Sequence, residues 1–441
     1  MIFYSIPFLI LFMISTVLFH FSKNIKQQYL IILLTNFVFY GYWNIRFLLL
    51  LLFEIAICYA MMLAYSKTKH RVFVIISVIF CLANLGLFKY CNFSNLLIPL
   101  GISFYTFQTL SYVFDVYRGI IEAEIDILKL TAYLSFFPQI TSGPIVKARD
   151  FLPQLNVLHR LKKENVYIGL QLFLLGLTKK VVFADRIGVA VDAVFSAPAA
   201  YSSISVAFAV LGYALQIYCD FSGYSDMAIG LARIWGFDLG VNFNMPYLAK
   251  NPSDFWARWH ISLSSWFKEY VYIPLGGSRN GNFKTYRNLF ITMLLSGIWH
   301  GASWTFVIWG VFHALYSVVH KFWKSLNIPK KNHSYVCTIA NFLIICISWI
   351  VFRANDMTTM RDVFRGLLNT NGIFYINIYS VIFLALVTLI NVYCYKKNNG
   401  NAPEIALNLD SFKGKLVLVL WIFLIVMFAY VGDSAFIYAQ F

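Results

Sequence analysis

Nine runs of mostly apolar residues pattern this chain, at 1–21, 28–43, 47–65, 72–90, 164–184, 203–219, 335–352, 375–395 and 416–432. A helix needs about 20 such residues to cross the hydrocarbon of a bilayer. With 60% of residues hydrophobic and only 12% charged, against about 25% charged in a soluble domain, a water-soluble fold could not hide the apolar surface. In lipid a spanning segment must satisfy its own backbone hydrogen bonds, and helices do so. The fold class expected is therefore all-α and polytopic, a single membrane-embedded domain over residues 1–441. The first run opens at Met1 with no basic stretch before it and no small-residue cleavage site, so it reads as a span.

Charge gives orientation. The chain carries 35 Lys and Arg against 19 Asp and Glu, a net +16. Basic residues fill alternate loops: Lys23 and Lys26, then Lys67, Lys69 and Arg71, then Lys147, Arg149, Arg160, Lys162 and Lys163, and later Lys321, Lys324, Lys330, Lys331, Lys396 and Lys397. The loops between are poorer, with Arg46 alone and then Asp185, Arg186 and Asp192. Cytoplasmic loops retain Lys and Arg. The excess is thereby explained without a nucleic-acid partner, the amino terminus lies outside, and about 10–12 crossings are expected. Seven cysteines show no CxxC spacing and sit mostly in apolar runs, as small buried hydrophobes do.

Two apolar regions are broken by Gly, Pro and charge, 96–146 and 220–320. Irregular backbone at membrane depth occurs only where protein or a water-filled cavity covers it, so the site is sought there, chiefly in 220–320. The segment 289–320 is expected to leave the cytoplasmic face and return. His300 lies 12 residues beyond Asn288, about 18 Å along a helix and so near mid-membrane. An ionisable residue at that depth marks a functional site by default; the structural alternative is a His satisfied by a neighbouring helix. Trp299, Gly301, Ser303 and Trp304 around it are expected to line the site. His313 and His320 read more simply as satisfied helix residues.

Residues 254–272 read as one amphipathic, aromatic-rich helix, capped by Ser253 or Asp254, lying in the interface or plugging a cavity mouth. His260 follows Trp259 and precedes a Ser-rich turn with Ser262, Ser264 and Ser265. It is a catalytic candidate or an interfacial His packed on Trp, and Asp254 and Trp259 are expected beside it. Arg279, Lys284 and Arg287 suit the phosphates of a donor or simply set topology. Neither HExxH spacing nor a carboxylate near His300 in sequence suggests a metal, and none is expected. A GxSxG elbow for serine hydrolysis is missing. General-base chemistry remains: a neutral imidazole deprotonating a hydroxyl as it attacks an activated acyl group. A secondary transporter or flippase is the alternative from broken helices, with Asp220 and Asp226 as ion-coupling carboxylates.

The stretches PQITSGPIVKARDFLPQL (138–155), DFSGYSDMAIGLARIWGFDLGVNFNMPY (220–247), DFWARWHISLSSWFKEYVYIPLGGSRNG (254–281), SGIWHGASWTFVIWG (296–310) and FIYAQF (436–441) resemble the membrane-bound O-acyltransferase family. They are most similar to its bacterial branch that acetylates alginate and peptidoglycan. The resemblance implies a ring of transmembrane helices around a central tunnel, with His300 on the family's WHG histidine and His260 on its second histidine. It implies acetyl transfer from a cytoplasmic thioester, acetyl-CoA, with no bound cofactor. The acetyl group would pass to a separate extracytoplasmic SGNH-type acetyltransferase that finishes the reaction on a polysaccharide. The location implied is the inner membrane of a bacterium. The sister branch transfers D-alanine to teichoic acid; the YIPLGG at 272–277 favours acetyl over D-alanyl.

Overall fold

The computed structural model describes residues 1–91, 97–326, 334–378, 380–382, 385–389, 407–430, 432 and 437. The expected span 375–395 lies only partly among them. Cys394, Lys330, Lys331, Lys396, Lys397 and all of FIYAQF except Ile437 lie outside them.

The regular secondary structure of the described residues is helical, apart from one isolated bridge between Tyr201 and Ile373. The chain divides into two compact units, residues 1–175 with 224–240, and 176–223 with 241–441.

The first unit begins with α1 (Ile6–Phe21), α2 (Ile25–Gly41), α3 (Ile45–Thr68) and α4 (Val72–Lys89). On α1 the residues facing inward are Phe8, Phe12, Ser15 and Phe19, the three-four spacing of one helix face. Its other face is equally apolar but exposed, with Met13, Ile14 and Val17 each more than half accessible. In water such a surface would drive aggregation; in a bilayer it meets lipid. Among the described residues, five helices combine spanning length with sufficient hydropathy: Ile45–Thr68, Val72–Lys89, Lys163–Ser196, Ser203–Trp235 and Tyr335–Arg353. These are fewer than the crossings expected. α1 and α2 have only 16 and 17 residues, and polar residues dilute other helices of sufficient length.

Inside this unit α5 (Ile102–Tyr117) is buried on every side, only Phe114 and Tyr117 escaping. The short α6 (Ile127–Leu134), α7 (Phe137–Ile140) and α8 (Ala148–Leu155) follow, cut short by the Pro and Gly of the broken region. Trp235 stacks on Phe19 and Phe12 at ring distances of 4.7 and 6.0 Å.

In the next stretch α9 (Lys163–Leu177) runs through a π-helical turn, Thr178–Ala184, into α10 (Asp185–Ser196). α11 (Ser203–Trp235) is one helix of 33 residues, so the expected break after residue 219 is absent. Gly223 is tolerated there as a close-packing residue, not a hinge: a Cβ on it would lie 2.7 Å from the Gly176 carbonyl oxygen.

The second unit holds α12 (Pro252–Trp256), α13 (Ile261–Phe267), α14 (Gly281–His300), α15 (Trp304–Ser325), α16 (Ser334–Arg353) and α17 (Met357–Gly366). A further helix, Phe412–Phe428, carries Lys413 and Lys415 in its first turn and is apolar on every face beyond them. The single amphipathic helix expected over 254–272 is instead two short helices and a π-helical turn, Lys268–Tyr272. Asn251 caps α12 in place of Ser253 or Asp254, its side chain accepting from the Asp254 amide. Ser262, Ser264 and Ser265 lie in α13, not in a turn.

The expected return segment is a hairpin of α14 and α15, beginning at Gly281, eight residues earlier than read from hydropathy. The two helices meet where neither has a side chain. A Cβ on Gly310 would come within 2.9 Å of the Met293 carbonyl oxygen, and one on Gly297 would overlap the Phe306 carbonyl oxygen. Gly310→Val is therefore expected to destabilise by about 1–3 kcal/mol through overpacking, read as a lower Tm of the detergent-solubilised protein. Gly86→Ala, where an added Cβ meets nothing within 4 Å, is expected to leave Tm unchanged or slightly raised.

Candidate functional site

His300 is the last residue of α14, and Gly301 closes that helix through its amide to the Ile298 carbonyl. Ser303 then starts α15, its side chain accepting from the Thr305 amide. The hairpin tip thus delivers an imidazole that is 3% exposed. Its ring lies edge-on to Trp309 and Phe352 at 5.0 and 5.1 Å, with Trp299 at 4.9 Å and Phe306 at 6.1 Å. Gly301 is needed for this packing, because a Cβ there would lie 2.7 Å from the Phe306 ring. On the far side of Trp309 sits His313, 4.6 Å ring to ring, fully buried, with neither ring nitrogen hydrogen-bonded among the described residues. The hydrogen-bond partner expected for His313 is not found among the described residues. The aromatic cage of Trp256, Trp309 and Phe312 supplies contacts but no acceptor.

His260 occupies the tight joint between α12 and α13 with a left-handed backbone, φ 43°. A non-glycine residue there costs about 1–2 kcal/mol and persists only where its surroundings enforce it. Asn242 does so. Its backbone carbonyl accepts from the Ile261 amide at 2.9 Å, and its side-chain oxygen accepts from the Ser262 amide and hydroxyl at 3.2 and 2.9 Å. That same oxygen lies 3.3 Å from His260 Nδ1. His260 packs edge-on against Phe221 at 4.7 Å and faces Trp299 at 6.5 Å, so Trp299 touches both histidines. Burial pushes the His260 pKa down to about 3, keeping the ring neutral.

The other residues singled out from sequence are more scattered. Trp259 is buried against Trp349 at 4.9 Å. Asp254 pairs with Arg258 at 2.6 Å. Trp304 is 71% exposed and turns away from the imidazole. Arg279, Lys284 and Arg287 are all exposed at the opposite end of the hairpin; Lys284 is 16 residues before His300, about 24 Å along α14. Arg287 also bonds the Asn288 side chain at 2.9 Å.

Hydropathy reading missed a cavity of about 450 Å³ in the second unit, whose wall includes Phe306 and Phe352, the ring neighbours of His300, together with Ser303 and Asn355. Lys180 and Asp220 line it as well. Lys180 bonds Asp220 at 2.6 Å and Asp185 at 2.9 Å, all three nearly inaccessible. Lys180 and Asp185 are five residues apart; an α-helix would put them on different faces, and the wider π turn brings them together. Asp185 is thus an interior residue, not the loop charge that the sequence suggests. Asp220, a candidate ion-coupling carboxylate, is already neutralised by Lys180 and accepts from the Ile437 amide at 2.8 Å. A lysine inside the run 164–184 was the available signal, since intramembrane charges are costly and functional.

Residues 21–358 match the membrane-bound O-acyltransferase family. The chain belongs to that family. It is a multi-pass membrane acyltransferase. It is 36% identical over 382 residues to a probable alginate O-acetylase, AlgI, of Pseudomonas aeruginosa, covering 81% of this chain and 73% of that one. It is 35% identical over 402 residues to a peptidoglycan O-acetyltransferase of Helicobacter pylori, covering 80% and 76%. It is also similar to a teichoic acid D-alanyltransferase of Bacillus subtilis, 28% identical over 277 residues, covering 58% and 69%.

Three outcomes follow for the acyltransferase. Lys180→Met strands two buried carboxylates and is expected to cost about 3–5 kcal/mol, a large fall in Tm. Arg361→Ala, which breaks only the exposed pair with Asp362 at 3.5 Å, is expected to change Tm little. The unfolded chain protonates His260 below about pH 6.5, whereas the folded ring stays neutral down to about 3. Stability is therefore lost as pH falls through that window, and His260→Gln is expected to flatten the decline of Tm between pH 7 and 4.

Proposed function

We propose that this acyltransferase moves an acetyl group from cytoplasmic acetyl-CoA across the cytoplasmic membrane of a bacterium for O-acetylation of an extracytoplasmic polysaccharide, through a separate SGNH-type acetyltransferase. One observation carries the reading: His300 is buried at a hairpin tip, and two of the rings packed on it, Phe306 and Phe352, belong to the wall of a polar cavity.

The chemistry asked of His300 is modest. A neutral ring nitrogen takes the proton of an acceptor hydroxyl while that oxygen adds to the thioester carbonyl. The carbonyl re-forms, the carbon–sulfur bond breaks, and the thiolate leaves and is protonated. Such base catalysis is worth about 10²–10⁴-fold. A neutral imidazole is what this requires. His260 acts from the other side of Trp299, where its Asn242 anchor positions it as a support for the site. Acetyl transfer is supported over D-alanyl transfer by the greater identity and coverage with the alginate and peptidoglycan acetylases than with the teichoic acid enzyme.

The test uses membrane vesicles, labelled acetyl-CoA and a count of acetyl esters on envelope glycan. His300→Gln is expected to lower transfer by about 100-fold or more with membrane content and Tm unchanged. Undiminished acetylation in that variant would contradict the assignment. Labelling only from a carrier-protein thioester would move the enzyme to the D-alanyl branch.

A further inference from the structure

Deep in the second unit charge is paired: Lys180 holds Asp220 and Asp185. At the base of the α14–α15 hairpin, the end away from His300, it is not. Residues 275–287 and 317–326 carry five cations, Arg279, Lys284, Arg287, Lys321 and Lys324, and no carboxylate. None of the five has a carboxylate partner among the described residues. All but Lys321 are exposed. Lys321 donates to the Ser278 hydroxyl at 3.2 Å, which joins the end of α15 to the loop before α14. Setting topology requires only that cations lie on the correct side of the membrane. It does not require that they gather, unpaired, on one hairpin. In the first unit the basic loop 147–163 is tied down instead, Arg149 by Asp115 and Arg160 by the Ser22 carbonyl.

Apolar rings share this end. Phe283 is 82% exposed, Trp323 62% and Phe322 52%. Lys284 lies 13 residues before Gly297 and Trp323 lies 13 after Gly310, so the antiparallel pair sets them about level. α15 has 22 residues, about 33 Å of helix against about 30 Å of hydrocarbon. Trp323 therefore falls at the membrane–water boundary opposite the hairpin tip, where Trp rings sit at headgroup depth. Exposed rings among unpaired cations would be a liability in water. At a bilayer surface the rings enter the boundary between acyl chains and headgroups, and the cations reach phosphates. An acidic soluble partner would use the cations and leave the rings wet.

We propose that the base of this hairpin is a binding surface for the headgroups of anionic phospholipids, in the leaflet that the charge distribution assigns to the cytoplasm. Arg279, Lys284 and Lys324 donate charge-assisted hydrogen bonds to lipid phosphate, and Phe283 and Trp323 seat in the interface beside them. The lipid thereby holds the root of the same element whose tip carries His300. This surface stands apart from the acyl-transfer reading.

The test titrates the full, detergent-solubilised chain with dioleoylphosphatidylglycerol or dioleoylphosphatidylcholine and follows Tm. The two lipids share acyl chains and phosphate, and choline cancels the charge of the second. Phosphatidylglycerol is expected to stabilise the protein with an apparent affinity at least about tenfold better. Raising salt from about 0.1 to 1 M shortens the screening length from about 10 to 3 Å and is expected to remove most of that preference. Arg279→Gln and Lys284→Gln are each expected to weaken phosphatidylglycerol about fivefold, with phosphatidylcholine unchanged. Lys67→Gln, which removes an exposed cation from α3, is expected to leave both unchanged. Equal stabilisation by the two lipids, or a loss in Lys67→Gln as large as in Lys284→Gln, overturns the proposal. Stabilisation by polyglutamate in place of the lipid also overturns it and makes the partner an acidic protein. A raised KM for acetyl-CoA in Arg279→Gln and Lys284→Gln, with the lipid response intact, overturns it by assigning the cations to the donor. His300→Gln is expected to respond to phosphatidylglycerol as wild type does, so failure of the base role and failure of the lipid surface read out separately.

Discussion

Contact between two glycines governs this site. Helices in a bilayer gain little by hiding apolar surface from one another, since lipid is as apolar as they are, and they associate where small residues let backbones close. Gly297 and Gly310 provide that approach between α14 and α15. The candidate site is counted from it. His300 falls three residues past Gly297, where the helix ends; Trp309 directly precedes Gly310 and Phe306 lies one turn earlier. The crossing therefore fixes the imidazole and two of its ring neighbours in one rigid element.

Around that hairpin the protein confines its charge to pairs. A lone lysine or carboxylate inside a membrane protein is expensive, and removing one member of a buried pair is worse than never having it. The π turn after α9 serves this need by bringing Lys180 against Asp185, while α11 supplies Asp220 from one turn below Gln216. The same group lines the cavity next to the His300 cage. The charge cluster is thus part of the wall of the cavity and of the buried packing at once.

Much of the architecture was legible from apolar run length alone. The edges of α3, α4 and α16 fall within a few residues of the expected runs, because a lipid solvent imposes length and apolarity together. His300 stood out as a polar residue in apolar surroundings, and it is indeed buried at a helix end. What hydropathy could not show was backbone detail. The left-handed joint at His260 is enforced by Asn242, 18 residues earlier, and no local propensity signals it. The unbroken α11 was misjudged because Gly223 and Asp220 look like breakers until their partners, Gly176 and Lys180, are seen. Trp304 was grouped with His300 by sequence proximity, yet a first-turn position on α15 turns it outward. Arg279, Lys284 and Arg287 sit at the far end of the hairpin for a similar reason: neighbours along a helix separate by its rise.

The central claim is that an acyl donor reaches the His300 ring. A cryo-electron microscopy structure of the full chain with a non-hydrolysable thioether analogue of acetyl-CoA tests it directly. The account predicts the carbon equivalent to the acyl carbonyl within about 4 Å of a His300 ring nitrogen, near attack distance, with the imidazole still inside its cage of Trp299, Phe306, Trp309 and Phe352. An analogue bound with its acyl end elsewhere, and His300 sealed behind those rings, would contradict it.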